Sequence, residues 1–488
     1  MIIHWFRRDL RLHDNPALQA ALQAGAGRVI PLFILDDRLL ASRRVGPARV
    51  AFLLDSLRAL DAGLRQRGSR LIVRRGEPLE VLRRVLDESG AAAVYFNRDY
   101  TPFARTRDAA VRAGLAGRAA LRDFKDVAIC EPDELRTKGG TPYKVYTPYR
   151  RQWLARVEET RGALLAEAPL PRFVPPPEGL ETLELPRAAP QGGRRTPPGG
   201  EQAGLELLAA FLRPDAPDGI AGYHTRRDLV ALPGTSRLSA YLHLGCVAAS
   251  ACLRGALRAR EGAPGAREGV DAWVGELAWR DFYIQILYHF PHVLRGVFRP
   301  ELDRLAWEND PQLFAAWQEG RTGYSIVDAA MRQLRAEAWM HNRARMIAGS
   351  FLVKDLLISW RWGEEHFLQQ LVDADHAANN GGWQWVAGTG TDPQPYFRIF
   401  HPVSQGQKFD PRGDYVRRYV HELARVPDRY IHAPWTMPPD EQRRTGVQIG
   451  QSYPSPVVDH SQRRERALLM FREARARSET PQRLSENP

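Results

Sequence analysis

The chain has 488 residues, 44% of them hydrophobic and 26% charged, an ordinary balance for a globular protein of roughly two to four domains. Cys130, Cys246 and Cys252 form no CxxC pair and the histidines no HExxH, which excludes a disulfide framework and the recognisable zinc patterns; no metal is expected. The net charge of +12 favours a polyanionic partner, nucleic acid first, although 64 arginines against 5 lysines is also what GC-rich coding produces.

In chain order, short apolar runs read as buried parallel strands at Ile2–Phe6, Val29–Leu35, Arg70–Val73, Ala92–Phe96 and, more weakly, Ala119–Phe124. Helical patterns lie between them at Asn15–Ala24, Pro47–Arg67, Glu77–Glu88 and Pro102–Ala113. This alternation predicts an α/β domain built on a doubly wound parallel sheet. Such sheets bind ligands at the carboxyl ends of their strands, where Arg7, Asp36 and Asn97-Arg98-Asp99 fall. No GxGxxG follows the first strand and no GxxxxGK[ST] occurs, so a standard dinucleotide or P-loop site is not supported.

Ala168 to Gly200 holds nine prolines, including Pro175-Pro176-Pro177, and ends in a glycine- and proline-rich run, the composition of an extended linker. Beyond it helical periodicity dominates to about Ala474, with a capping-box pattern at Ser325-Ile326-Val327-Asp328. The expected organisation is an α/β domain over 1–128, an interdomain linker over 129–200, a large all-α domain over 201–475 and a frayed tail over 476–488. The opening apolar run is too short for a signal peptide, and no stretch approaches the ~20 apolar residues of a membrane span. A soluble cytoplasmic protein is expected.

Five stretches of the helical half carry candidate chemistry. Nine of the twelve tryptophans fall between Trp273 and Trp385. A single Trp is usually core filler, but Gly381-Gly382-Trp383-Gln384-Trp385 sets two indoles on glycine-rich backbone read as irregular, where they could stack on a planar ligand or carry an electron. Just before it, Asp373 to Gly382 crowds carboxylates, amides and glycines together, either as a surface turn or as carboxylates that need donors beside apolar surface. On a helix, Asn342, Arg345 and Met346 share one face, as do Glu276, Trp279 and Arg280. Gly234-Thr235-Ser236-Arg237-Leu238-Ser239, following Tyr223 and Arg227, reads as a plain N-cap or as a phosphate cradle at a helix start.

Together these residues resemble the photolyase/cryptochrome family, most closely its class I cyclobutane pyrimidine dimer photolyases. The opening Trp5-Phe6-Arg7-Arg8-Asp9-Leu10-Arg11-Leu12-His13-Asp14-Asn15-Pro16-Ala17-Leu18 resembles the family's N-terminal signature. Thr322 to Asp410 resembles its flavin domain, and the similarity continues to Tyr453–His460. The resemblance implies FAD, active as the reduced anion, held in a U shape. Tyr223, Thr235, Ser236, Arg237, Leu238, Ser239 and Trp273 would hold the phosphates and adenine side, and Asp373 and Asp375 the isoalloxazine and ribose side. Arg345 would be the counter-charge and Asn379 would face flavin N5.

The resemblance further implies UV-damaged DNA as partner, a monomer, and light-driven electron transfer to a flipped-out dimer. Glu276 would hydrogen-bond the dimer, Trp279 and Trp385 would stack on it, and Asn342 and Met346 would line its pocket. Arg227, Arg280, Arg343, Arg398 and Gln405 would face the DNA backbone. Trp383, Trp360 and Trp307 match the family's electron-carrying triad. A second, antenna chromophore is implied in the α/β domain, whether a folate, a deazaflavin or a flavin, with Asp36 and Asp99 chosen for it from strand-end position. Two other branches compete. Six–four repair wants a pocket histidine where this chain has Asn342 and Met346. Plant-type cryptochromes carry Asp, and animal-type ones Cys, where Asn379 stands.

Overall fold

The computed structural model describes residues 1–166, 169, 172–186, 192–213 and 215–483. Five parallel strands, β1 (Ile2–Phe6), β2 (Val29–Leu35), β3 (Ile72–Arg75), β4 (Ala93–Asn97) and β5 (Ala120–Phe124), form one sheet in the order β3-β2-β1-β4-β5. Every residue of β1, β2 and β4 is buried, as continuous apolar runs covered by helices on both faces require. β3 starts two residues later than the apolar run suggests, because the Leu71 N–H donates to Asp61 at 2.8 Å and the ladder opens at Leu32↔Ile72. Asn15, Glu77 and Thr101 stand outside their helices as N-caps, each followed by proline at the first helical position.

The stretch 129–200 departs from the expected linker. It contains the helix Tyr146–Glu159 and a short one, Arg161–Leu165. Pro148 hid the first of these, yet proline is tolerated in a first helical turn. Tyr149, Trp153 and Val157, four residues apart, are buried, and the Trp153 indole donates to Asp281 at 2.9 Å. Further on the chain is extended and docked, with Val174 N–H on Gly27 and Leu183 N–H on Val73. Part of the proline-rich run, 167–168, 170–171 and 187–191, lies outside the described residues.

Three other expectations are corrected in the helical half. The helix Ser325–Glu337 begins without a capping box: Asp328 turns back to accept from Thr322 N–H (2.7 Å) and Gly323 N–H (3.1 Å), while the Ser325 hydroxyl donates to Ile431. Gly381 and Gly382 lie inside the regular helix His376–Ala387, not on irregular backbone. Gly381 serves close packing, since a Cβ there would stand 2.1 Å from the Tyr283 ring on the helix Arg267–His289. The last helix, His460–Arg483, runs through most of the segment expected to fray; 484–488 lie outside the described residues.

The N-terminal signature is spent largely on joining the two halves. Leu10 N–H bonds Leu244, Arg11 donates to Gly245 (3.0 Å), and Arg8 reaches Asp375 at 2.7 Å. Gly245 has φ +65°, and a Cβ on it would stand 2.0 Å from the Arg8 carbonyl. Asp9 and Asn97 knot β1 to β4 beneath the seam, the Asn97 amide donating to Asp9 at 2.6 Å.

Lys354 is 1% exposed, donates to the Ala387 carbonyl at 3.1 Å, lies 3.7 Å from the centre of the Phe471 ring, and is pushed down to about 7 by burial. The unfolded chain holds that proton to about 10.4, so unfolding takes up a proton between the two values and stability rises with pH there. Between about pH 7 and 9.5 wild type should therefore gain up to about 3 kcal/mol relative to Lys354→Met, at about 1.4 kcal/mol per pH unit. Urea unfolding of both proteins across that range checks this; parallel curves would remove Lys354 as the cause.

Candidate functional site

The centre of the candidate site is one ion pair. Arg345, on the helix Asn342–Ser350, donates to Asp373 Oδ2 at 2.7 Å and through Nε to the Met340 carbonyl at 2.8 Å. The Asp373 side chain is 2% exposed, and its other oxygen, Oδ1, is buried with no hydrogen-bond partner. A buried carboxylate oxygen in that condition needs an N–H donor. Asn379, one turn into the helix His376–Ala387, donates its amide N–H to the Glu364 carbonyl at 3.1 Å, which leaves its side-chain oxygen as an acceptor.

Asp375, two residues on from Asp373, has both oxygens engaged. Its Oδ1 accepts from Ala377 and Ala378 N–H as the N-cap of that helix, while Oδ2 takes Arg8 at 2.7 Å. Despite burial, Arg8 and His243 hold its carboxyl well below the usual range. Both oxygens thus serve the helix start and the seam between the halves, and Asp373 is the carboxylate with an oxygen to spare. Sequence reading could not separate two aspartates one residue apart.

Tyr223 and Trp273 are buried side by side around Phe211, at ring distances of 5.8 and 5.2 Å. Thr235 to Leu238 is loop, and Ser239 opens the helix Ser239–Leu244 without a side-chain cap, so the N-cap reading fails there. Arg237 has φ +52°, a left-handed conformation uncommon outside glycine, and its guanidinium lies 4.2 Å from the Trp339 ring centre. Leu238 is buried; Thr235 and Ser236 are half-buried.

The helix Arg267–His289 carries Glu276, Trp279 and Arg280. Glu276 pairs with Arg227 at 2.7 Å; burial pushes its carboxyl above the usual range and Arg227 partly offsets this. One face of Trp279 is covered by Tyr146, stacked at 3.5 Å and 9°. Tyr146 belongs to the helix read as linker, so sequence reasoning missed it. Arg280 donates to the Val127 carbonyl and pairs with Asp281 at 3.5 Å, which ties it to the first half of the chain. Asn342 is exposed and its amide touches Met346 Sδ at 4.0 Å. Arg343 pairs with Asp228 at 2.9 Å, Arg398 is exposed, and Gln405 and Trp385 are half-buried.

Trp360 and Trp383 are buried, at 1% and 3% exposure, while Trp307 is half-buried. Trp383 packs against Phe367 at 4.9 Å and Trp317 at 6.2 Å. Gly363 admits the indole, because a Cβ there would stand 2.1 Å from it. At the sheet's carboxyl edge Asp36 caps a short helix and pairs with Arg38 at 2.7 Å, and Asp99 lies 3.7 Å from Arg8.

Comparison with known proteins agrees with this architecture. The family model for DNA photolyase matches residues 2–175, and that for the FAD binding domain of DNA photolyase matches 273–473. A deoxyribodipyrimidine photo-lyase of Halobacterium salinarum is 43% identical over 97% of this chain and 99% of its own. A class III photolyase from Agrobacterium tumefaciens superposes with TM-score 0.90 at 38% identity, covering 97% of this chain and 98% of that one. A cryptochrome from Synechocystis gives 0.87 at 30%, covering 96% and 99%. An archaeal photolyase from Sulfolobus tokodaii, solved with two FAD molecules, gives 0.78 at 33%, covering 97% and 99%. A parallel-sheet domain joined to a helical FAD-binding domain defines the photolyase/cryptochrome class of flavoprotein. The chain belongs to the DNA photolyase family and is an enzyme, a photo-lyase as its curated relatives are.

Proposed function

We propose that this protein repairs cyclobutane pyrimidine dimers in DNA under light, using FAD held in the helical half. The observation that carries this reading is the Arg345–Asp373 pair with the spare, buried Oδ1 of Asp373, which suits a flavin ring N–H. Tyr223, Trp273 and the Thr235–Ser239 segment would hold the phosphate and adenine side, and the Asn379 oxygen would stand at N5. A neutral amide suits a reduced, anionic ring, where a carboxylate would repel it. When bound, reduced FAD supplies the photochemistry, giving an electron to the lesion on excitation and taking it back after the ring splits.

The chain's own residues bind and orient the lesion. Enzymes that work on a base inside a duplex take it out of the stack, photolyases among them. Glu276, its carboxyl raised by burial, would hydrogen-bond the extruded dimer, with Trp279 and Trp385 against it and Asn342 and Met346 lining the pocket. Arg227, Arg343, Arg398 and Gln405 would meet the backbone; Arg280, already tied to Val127, would do so less directly. A second chromophore at the sheet edge near Asp36 and Asp99 remains part of the proposal, its type open between folate, deazaflavin and flavin.

The second reading is a cryptochrome-type photoreceptor without repair, supported by the Synechocystis likeness. Blue light on a dimer-containing oligonucleotide separates the two. Loss of dimers only when illuminated supports repair; none under either condition supports the photoreceptor. Trp307→Phe is expected to cut photoreduction of oxidised flavin at least tenfold while already reduced enzyme repairs at the wild-type rate. Transient absorption beside a repair assay checks this, and equal loss of both activities contradicts the chain Trp383, Trp360, Trp307.

A further inference from the structure

A cleft outside the flavin and lesion residues is lined by five arginines. It encloses about 830 Å3 where residues 192–195 cross the helices Ser325–Glu337 and Asp414–Tyr419. Arg194, Arg195, Arg332, Arg335, Arg418 and His421 face it, and among the described residues no Asp or Glu does. Two carboxylates stand nearby and are already shared: Glu422 pairs with Arg332 at 2.7 Å, and Glu337 lies 3.4 Å from both Arg195 and Arg237.

Among the described residues, Arg194, Arg335 and Arg418 have no carboxylate within 4.0 Å. Their partners are neutral oxygens: Gln370 Oε1 at 2.6 Å and the Glu319 and Ala231 carbonyls, each at 3.2 Å. Burial and the nearness of Arg335 both push the Arg194 guanidinium below its usual value. Like charges gathered in a concavity focus potential inward, and a guanidinium keeps several N–H donors for phosphate oxygens.

We propose that this cleft binds an oligophosphate chain, either free or carried by a nucleotide. Its volume falls in the range of small-ligand sites, roughly 300–1,000 Å3, and is more than one phosphate fills. A nucleic-acid strand instead needs a basic track along its length. Recognition is of phosphates: Tyr419 lines the cleft, but its ring is buried and its hydroxyl donates to Glu337 at 2.7 Å, so it offers no face for a base.

Calorimetric titration of flavin-loaded protein with sodium tripolyphosphate, and separately with ATP, tests the assignment. One tripolyphosphate should bind per chain. Arg194→Ala/Arg335→Ala should weaken it at least tenfold with the flavin spectrum unchanged, and Arg418→Ala alone should act in the same direction. A charge-matched control, Arg443→Ala/Arg444→Ala, should bind as wild type does. Equal affinity for ATP means that phosphates alone are read and supports the site; tighter ATP binding means that a base is also seated and overturns recognition by phosphates alone. No saturable binding, or equal weakening in the control, reduces the effect to general attraction to a +12 chain and overturns it. Displacement of tripolyphosphate by dimer-containing DNA would assign the cleft to the nucleic-acid surface and overturn it too.

Discussion

Arg345→Ala should give a folded protein that purifies with little flavin. The Asp373 side chain is 2% exposed, and Arg345 is its one ion-pair partner among the described residues, at 2.7 Å. Truncating Arg345, itself a quarter exposed, leaves the buried Asp373 carboxylate uncompensated, at a cost of up to about 3 kcal/mol. Asp373 then draws in water, which competes with a flavin N–H for its oxygens. The double variant Arg345→Ala/Asp373→Asn separates folding from binding: it should regain most of the lost stability, because no bare charge remains, but not the flavin. The ratio of flavin to protein absorbance, read beside urea unfolding, checks both. Full flavin occupancy in the single variant would remove the pair from the cofactor site.

Glu276→Ala should have the second large effect, on repair and not on the cofactor. Glu276 stands beside Arg227 at 2.7 Å, and its carboxylate can accept a hydrogen bond from a lesion ring N–H. A hydrogen bond involving a charged group contributes about 1.5–3 kcal/mol, so repair should fall roughly 10- to 150-fold. Glu276→Gln keeps an accepting oxygen of the same reach and should lose less. Arg227 is partly solvated, so its freed charge costs folding little. Quantum yield on dimer DNA, with the flavin spectrum as control, reads the effect. If Glu276→Ala sheds FAD as readily as it loses repair, the residue belongs to the cofactor and not to the lesion.

The parallel sheet was legible because buried strands are apolar on both faces and the helices between them open with Asn15, Glu77 or Thr101 ahead of a proline. What failed depended on partners distant in sequence. Gly381 and Gly382 look like a turn until Tyr283 arrives on another helix and needs the space. The Ser325–Asp328 spacing satisfies a capping box, yet Asp328 finds better donors in the Thr322–Gly323 backbone. Pro148 disguised a helix whose Tyr146 covers Trp279. Resemblance marked Asp373 and Asp375 alike, and only burial and hydrogen-bond partners tell them apart.

The N-terminal signature shows the same limit from the other side. Trp5 to Leu18 is specific enough to mark the family, but nothing in its order says that Arg8, Leu10 and Arg11 reach the helical half. The arginine-lined cleft was equally silent, since its cations come from three separated segments.

The proposed repair depends on an electron passing from flavin in the helical half to a lesion beside Glu276 and Trp279. The excited-state lifetime of the reduced, flavin-loaded protein measures that transfer. It should shorten when dimer-containing DNA is added, stay unchanged with undamaged DNA of the same sequence, and recover toward the DNA-free value in Glu276→Ala. A lifetime indifferent to the dimer, at concentrations where binding is complete, would contradict it.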